Sequence, residues 1–593
     1  MRGVPAASIL RPNIRWVRLR YAAALGAILR EMTPVPHKTS FSVWLIAAAL
    51  IGAAALCLPP AARAQSGVAL TGKVTSAQEP VMEGVLVSAR RDGSNITTTV
   101  VTNEQGVYSF PSARLAPGHY TLSIRAVGYT LQGGKAVDVT ADHATSADLA
   151  LAKAAALANQ LSNGEWLMSL PGDDHLKAAL TNCVGCHTLQ RIVQSTHDAA
   201  EFMQVFQRMG TYAPGSTPVR PQLLLPGGNN SNRSPMPKPI QQKMAEYLAG
   251  VNLSNAETIE FPLKTLPRLK GRSTHVVITE YDLPRKDAQP HDVIMDADGV
   301  VWYSDFARQF IGELDPATGK VVDYAIPLLR PDEPTGSLDL ELDPKGDLWL
   351  AMMYQGGILK FDRKTKQAKA FPVPKEWLNA TTQESMVSPQ HDDVDGKVWT
   401  NNQDSHVHYR VDIATGRYED VGAAADKAGT HINAYGMPTD VDNNVYLLNF
   451  GGATIGRRDA KTNEVTIWKT PLPFSRPRRG RVDADNVLWF AEYGANGIGR
   501  FDPKTGMIKE WQLPTPWDEP YDVVKAKDGE IWTGSMLTDR VARLDPATDA
   551  IVEYQLPRST NIRRVFVDDR GPHPVLWVGS NHGASIVKIE PLD

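Results

Sequence analysis

The spacing of apolar and polar positions changes along the chain, and each change marks a boundary. Between residues 67 and 152, short β-rich runs such as 68–74, 84–90, 97–102 and 119–127 are separated by turn residues. Such short runs predict a small β-sandwich. From Ala154 to about Leu253 the apolar positions recur at helical spacing, through Leu161, Trp166, Leu167 and Leu170, then 176–180, 202–209 and 240–248. That period predicts a small all-α domain. Its stretch 211–239 is rich in Pro, Gly and Asn. It is too long to be idle in a compact domain and is expected to wrap over a bound group, for which haem is the candidate.

From His275 onward a unit recurs about every 40 to 50 residues, which is a propeller period. Each copy carries an Asp-rich turn, an apolar-aromatic strand, a polar loop, a third strand, a Thr-Gly turn and a closing strand. The aromatic anchors are Trp302, Trp349, Trp399, Tyr446, Trp489, Trp532 and Trp577, and Asp-Pro turns fall at Asp315, Asp502 and Asp545. Seven anchors predict seven blades. The last copy stops after its third strand at 586–590, while an orphan strand at 276–283 precedes the first copy. The orphan is expected to supply the missing outer strand and to hide the sheet edges. The fold class is therefore multidomain and mainly β: a β-sandwich (65–153), a small all-α domain (154–255), a linker (256–274) and a seven-bladed β-propeller (275–593).

Ahead of these lies a signal region, 1–64. Residues 41–58 are apolar and uncharged, follow His37 and Lys38, and precede Ala62-Arg63-Ala64, a small-x-small cleavage site. This predicts export to the periplasm and a mature start at Gln65. Met32 sits where a signal of ordinary length would begin. The run is just long enough to span a bilayer if uncleaved, and is the only contact with a membrane that the sequence suggests. Leu56 stands where lipid attachment at Cys57 would need a small residue.

Charge narrows the partners. With 62 basic and 65 acidic residues the formal net charge of this 593-residue chain is −3, which gives no reason to expect nucleic acid. Loss of the signal removes Cys57, so Cys183 and Cys186 are the cysteines left. An exported protein with two cysteines three apart uses them as a redox pair or as attachment points.

Cys183-Val184-Gly185-Cys186-His187 is the c-type attachment motif. The two thiols add across the haem vinyl groups and the adjacent imidazole becomes an iron ligand, so one covalent haem c is expected. Ser234-Pro235-Met236-Pro237, followed by the helical run 240–248, resembles the end of small monohaem cytochromes c, and the resemblance spans about 155–253. It implies Met236 as the sixth ligand, with Met209 and His197 as alternatives; Met ligation would raise the potential relative to His ligation. Trp166 and Tyr247 read as packing residues.

Two further resemblances follow. Gly72-Lys73-Val74, Gly84 to Val87, Thr102 to Phe110, Leu115 to Tyr120 and Gly128-Tyr129 resemble the carboxypeptidase regulatory-like domain, which implies an accessory module rather than chemistry. The repeat over 275–593, most closely at 490–500, resembles the virginiamycin B lyase (streptogramin lyase) family of seven-bladed propellers. That family implies a magnesium-dependent site at the channel mouth, built from a Glu-x-His pair, a Glu on the following strand and a His one blade earlier. Aligned by the anchors, those positions are Glu519, Tyr521, Ser535 and Arg478. A lyase needs a base and a metal site, which Tyr, Ser and Arg replace poorly.

Registering all blades gives two rings. The starts of the inner strands carry His291, Leu338, Ser388, Tyr435, Arg478, Tyr521 and Arg563, with Arg479, Arg564, His391 and His431 beside them. This ring suits an anionic or aromatic small molecule. Three residues beyond each anchor come Asp305, Met352, Asn402, Asn449, Glu492, Ser535 and Ser580, read as polar channel lining. Asp305 with Glu492 would admit a hard cation, Mg or Ca. The candidate propeller residues are thus Glu492, Glu519, Tyr521, Arg478 and His291. The functions these features allow are electron transfer through the haem with a periplasmic donor or acceptor protein, coupled to a propeller that binds or helps oxidise a small molecule; a streptogramin-type lyase; and a binding or sensing module.

Overall fold

The Asp-rich turns explain how the repeat builds itself. Asp296, six residues before Trp302, accepts the backbone N–H groups of Asp298 and Val300 with one oxygen and the Trp302 indole N–H at 2.8 Å with the other. Asp343 does the same for Trp349 and Asp483 for Trp489. One carboxylate therefore closes the hairpin turn and fixes the anchor that fills the space between sheets. All seven anchors are buried, and truncating one of the Trp residues is expected to cost about 3–5 kcal/mol.

The protein is described from a computed structural model over residues 67–213, 215–218, 238–252, 261–379 and 382–593. The expected signal segment, Met32, Cys57, Gln65 and Met236 lie outside the described residues. Six sheets follow one another from Pro290–Met295 to Ala550–Gln555. Five have four antiparallel strands in the order of the sequence. The fourth sheet has three, Val445–Leu448, Thr454–Arg458 and Val465–Lys469, its inner edge held by the isolated bridges Ala434–Asn449 and Thr439–Val445. The seventh is Val565–Asp568, Val575–Ser580 and Ser585–Pro591, completed by Val276–Asp282 from ahead of the first blade. Blade seven lies against the inner strand Pro290–Met295 of blade one, so the ring is closed by the orphan strand, as the truncated last repeat requires.

The closure has an extension that the repeat did not disclose. On its other side Val276–Asp282 pairs antiparallel with Ile96–Val101 of the sandwich, so Ile278 faces Ile589 on one neighbour and Thr99 on the other. The result is one eight-stranded sheet that begins in blade seven and ends in the sandwich at Lys135–Val139. The second sandwich sheet holds Val68–Ser76, Val107–Pro111, Leu149–Lys153 and shorter strands, and Leu70, Val87, Tyr108, Phe110 and Leu122 fill the space between.

Helices Asn163–Ser169, Asp174–Ala178, Gln190–Val193, Ala199–Met209 and Lys238–Val251 follow the sandwich. They fall within the span expected as a small all-α domain, and Trp166, Leu167, Val184, Phe202 and Leu248 share one apolar cluster with Tyr493, Tyr521, Met536 and Leu537 of the propeller. The helices thus form a layer on one mouth of the propeller. Among the described residues no helix is long and apolar enough to cross a membrane.

Candidate functional site

Residues Ala179–Gly185 form a 3-10 turn that ends at Cys186, whose N–H donates to the Cys183 carbonyl at 3.4 Å. With three residues per turn, side chains at i and i+3 eclipse. The spacing thus sets Cys183 and Cys186 on one side, with His187 next in the chain. Both cysteines are half-buried. His187 Nδ1 donates to the Thr188 carbonyl at 3.1 Å; a backbone bond at Nδ1 is how a metal-binding imidazole is usually oriented for Nε2 ligation. Of the alternative ligands, His197 Nδ1 lies 3.7 Å from Glu201 and its ring stands edge-on to Phe202, and Met209 ends its helix, half-buried.

The turn is bound to the propeller, not merely near it. Asn561 donates to the Val184 carbonyl at 3.3 Å, Arg563 to the Gly185 carbonyl at 3.2 Å, and the His582 ring lies 3.3 Å from that same oxygen. A second contact fixes the layer's other end. Gly164 N–H donates to the Leu537 carbonyl at 2.9 Å, and a Cβ at Gly164 would meet Thr538 at 2.7 Å, so glycine is needed for the approach. The chain past helix Ala199–Met209 also descends into the propeller: Ala213 is buried beside Phe306 and Leu338, and Gln289 donates to the Gly215 carbonyl at 2.8 Å.

Beneath the turn, the first sequence ring is assembled at His291, Tyr435, Arg478, Tyr521 and Arg563. The Tyr435 and Tyr521 hydroxyls are hydrogen-bonded, Tyr521 lies 3.3 Å from His291 Nε2, and His291 Nδ1 is 2.7 Å from Asp292. Burial pushes His291 down to about 4, with Arg563 and Arg479 acting in the same direction, so the ring is neutral. Arg478 lies over Tyr521 at 3.8 Å and near Phe450 and Tyr493 at 4.5 Å. Glu519 is buried, and burial raises its carboxyl to about 7 despite hydrogen bonding by Tyr493. Serine 388 sits elsewhere in function: Ser388 donates to the Met437 carbonyl at 2.5 Å, and His391 bonds Thr439.

Arg479 and Arg564 belong to a different layer from Arg478 and Arg563. Arg479 pairs with Asp292 at 2.7 Å and with Asp339, and Arg564 with Glu341 at 2.6 Å. Burial raises the Asp292 carboxyl, but Arg479, His291 and Arg564 outweigh it and hold the group well below its ordinary value. Successive residues of a strand point to opposite sides, so the doublets Arg478-Arg479 and Arg563-Arg564 each give one arginine to the mouth and one to the acidic channel below. That assignment was absent from the sequence register because Asp292 and Asp339 stand one position off the ring.

The second ring does not line the channel. Its members are buried, and Asp305, Asn402, Asn449 and Ser535 cap the turn that follows the second strand of their blades. Asp305 accepts from Ala307 and Arg308, Asn402 from Asp404 and Ser405, and Ser535 from Leu537 and Thr538. Asp305 is paired with Arg285 at 2.7 Å. Glu492 faces Glu510, and burial with that neighbour raises it to about 9. The two acids considered for a cation thus have separate partners, and among the described residues no three His, Cys, Asp or Glu side chains are grouped as a metal site.

Comparison with known proteins bears on the propeller and the sandwich. Residues 424–592 match the model of the Virginiamycin B lyase family. Residues 69–152 match that of the carboxypeptidase regulatory-like domain. Similar solved structures include virginiamycin B lyase from Staphylococcus aureus, at 20% identity and a TM-score of 0.45, over 53% of this chain and 99% of that one. A streptogramin B lyase structure is similar at 21% identity and a TM-score of 0.46, over 54% of this chain and 99% of that one. No curated protein matches the chain.

At the positions the lyase family resemblance marked, Ser535 is a turn cap, Tyr521 bonds other ring members and Arg478 is stacked among aromatics. Glu519 keeps the residue type but lies under the helical layer, 7% exposed.

Proposed function

We propose that the chain is an exported, periplasmic c-type cytochrome that transfers electrons, with the propeller as the second wall of its haem site and the receptor for a small molecule. The observation that carries the reading is the docking of the Cys183–His187 turn onto Asn561, Arg563 and His582 at the propeller mouth.

The residues present fit haem c. The 3-10 turn eclipses the two thiols, the Nδ1 bond of His187 favours Nε2 ligation, and Cys183 packs in an apolar cluster. Trp166 is fully buried and its Nε1–H has no acceptor among the described residues. An unmet buried donor costs about 1–3 kcal/mol, and a haem propionate is an acceptor of the right kind. Bound there, haem supplies a one-electron iron couple. Cys183 and Cys186 would anchor it, His187 would ligate it with Met236 as the partner ligand, and Tyr521, Tyr493 and Met536 would keep water from that face. Fusing the propeller to the cytochrome holds ligand and haem at high effective concentration.

A streptogramin-type lyase is disfavoured by the same docking, since the helical layer covers the mouth where a cyclic peptide would enter. The carboxypeptidase regulatory-like sandwich serves as an accessory brace.

The test is an absorption spectrum, oxidised and then dithionite-reduced, of protein made in a periplasm with haem-attachment machinery. A sharp reduced α-band that is absent from Cys183→Ala/Cys186→Ala supports the reading. Protein that folds without haem in that host overturns it.

A further inference from the structure

Several deeply buried arginines of the propeller have an anion as partner. Arg479 has Asp292 and Asp339, Arg564 has Glu341, and Arg540 has Glu553 at 3.2 Å. Arg478 is 7% exposed and has no carboxylate within 4 Å among the described residues. Its partners are aromatic: Tyr521 at 3.8 Å, Phe450 and Tyr493 at 4.5 Å, Tyr435 at 5.1 Å. Rings over a guanidinium compensate its faces, whereas its in-plane N–H groups do the hydrogen bonding. Of these, one on Nη1 reaches the Met536 sulfur at 3.6 Å, a weak acceptor, the Tyr435 hydroxyl serves the guanidinium as well, and Nε has no partner among the described residues.

A second guanidinium stands close by. Arg563 lies 5.3 Å from the centre of the same Tyr521 ring, held by Asn561 at 2.7 Å and by the Gly185 carbonyl. Two like charges flanking one ring in a buried layer repel, and taking such ions out of water costs several kcal/mol each unless they are paired. Glu519, the nearby carboxyl, is raised by burial to about 7 and so offsets this charge only in part at neutral pH.

We propose that Arg478, flanked by Arg563, is the binding site for a carboxylate held between the propeller mouth and the helical layer. A carboxylate is the strong acceptor for a guanidinium edge, the Arg478 Nε–H is left open and its Nη1 has only a sulfur, and the surrounding Tyr and Phe faces give the ligand an apolar rim. The proposal deepens the electron-transfer reading and in one branch rests on it: the carboxylate belongs either to a propionate of the haem anchored at Cys183 and Cys186, or to a soluble carboxylic acid bound beside it.

Wild type, Arg478→Gln and Arg478→Lys, all full-length, distinguish these sources. Each is made with haem attached and also haem-free, in a host without attachment machinery. Midpoint potential is measured on the first form, and thermal midpoint against added acetate, succinate and benzoate on both. If the ligand is a propionate, Arg478→Gln shifts the haem midpoint to lower potential, Arg478→Lys restores part of the shift, and added acids do nothing to the loaded protein. If it is a soluble acid, one of the three raises the wild-type thermal midpoint in a saturable way and fails to do so in Arg478→Gln, with the haem potential unmoved. Failure of haem to attach sinks the function proposed above but leaves the haem-free titration to decide this site. An unchanged potential together with no Arg478-dependent response to any acid overturns the proposal.

Discussion

The Tyr521 hydroxyl of blade six lies 3.3 Å from Nε2 of His291 in blade one, spanning the channel directly under the attachment turn. Since His291 is neutral and its Nδ1 faces the Asp292 carboxylate, Nδ1 carries the proton and Nε2 accepts. Tyr521 therefore donates to His291 and Tyr435 donates to Tyr521. Tyr521→Phe removes the middle of this chain and leaves two buried groups short of a partner. It should cost about 1–3 kcal/mol in urea denaturation.

Asp292 neutralises Arg479 and bonds His291, so Asp292→Asn strands buried positive charge. A loss of about 3–5 kcal/mol is expected. The sign of its pH dependence follows from its depressed folded value. Its contribution is present above the unfolded carboxyl value near about 4 and is lost as pH falls below that. Acid denaturation of Asp292→Asn should therefore show a shallower loss of stability below pH 4 than the wild type.

Glu519 acts in the opposite sense. Burial raises it from 4.5 to about 7, against Tyr493, Arg476 and Arg478, which lower it, and with Asp518, which raises it. The folded state binds the extra proton, so its contribution is full below 4.5 and is lost as pH rises to about 7. Glu519→Gln should flatten stability across that window. An unchanged slope in denaturant titrations from pH 4.5 to 7 would count against the buried, partly protonated carboxyl.

Ile278 sits in a strand paired on both sides. Proline there removes a ladder hydrogen bond and cannot be accommodated at an edge, at a cost of about 3 kcal/mol or more. Ile278→Pro should split the thermal transition and lower its first midpoint, read by calorimetry. A single unshifted transition would falsify the shared sheet.

Met236→Ala tests the sixth ligand of the haem proposed above. If that haem is bound, the weak long-wavelength sulfur-to-iron band of its oxidised form should vanish, and a persisting band transfers the role to Met209.

Seven anchors, the closing strand and the two-cysteine turn were readable because each is local: an Asp six residues ahead of a Trp, a repeat short of one strand, five consecutive residues. The sandwich strands were readable for the same reason. The helical layer was legible as helices but not as a lid, since whether an amphipathic face buries against its own kind or against Tyr493 and Met536 depends on shape far away in sequence. The second ring misled because polar residues in register look alike whether they line water or cap turns; Asn402 and Ser535 turned out to spend their acceptors on backbone N–H groups two and three residues ahead. The ring residues Arg478 and Tyr521 were found, while the pairing of Arg479 with Asp292 and Asp339 needed three blades brought together.

Because Val276–Asp282 is made long before its partner Ser585–Pro591, ring closure has to wait for the last residues of the chain. During that interval the strand has a seat, the edge of a sandwich already complete behind it. A hydrophobic strand that would otherwise wander, pair with a sibling chain or aggregate is parked on its own scaffold until blade seven arrives. Without the sandwich to pair with, that strand would be expected to leave a propeller that closes slowly and exchanges strands between copies.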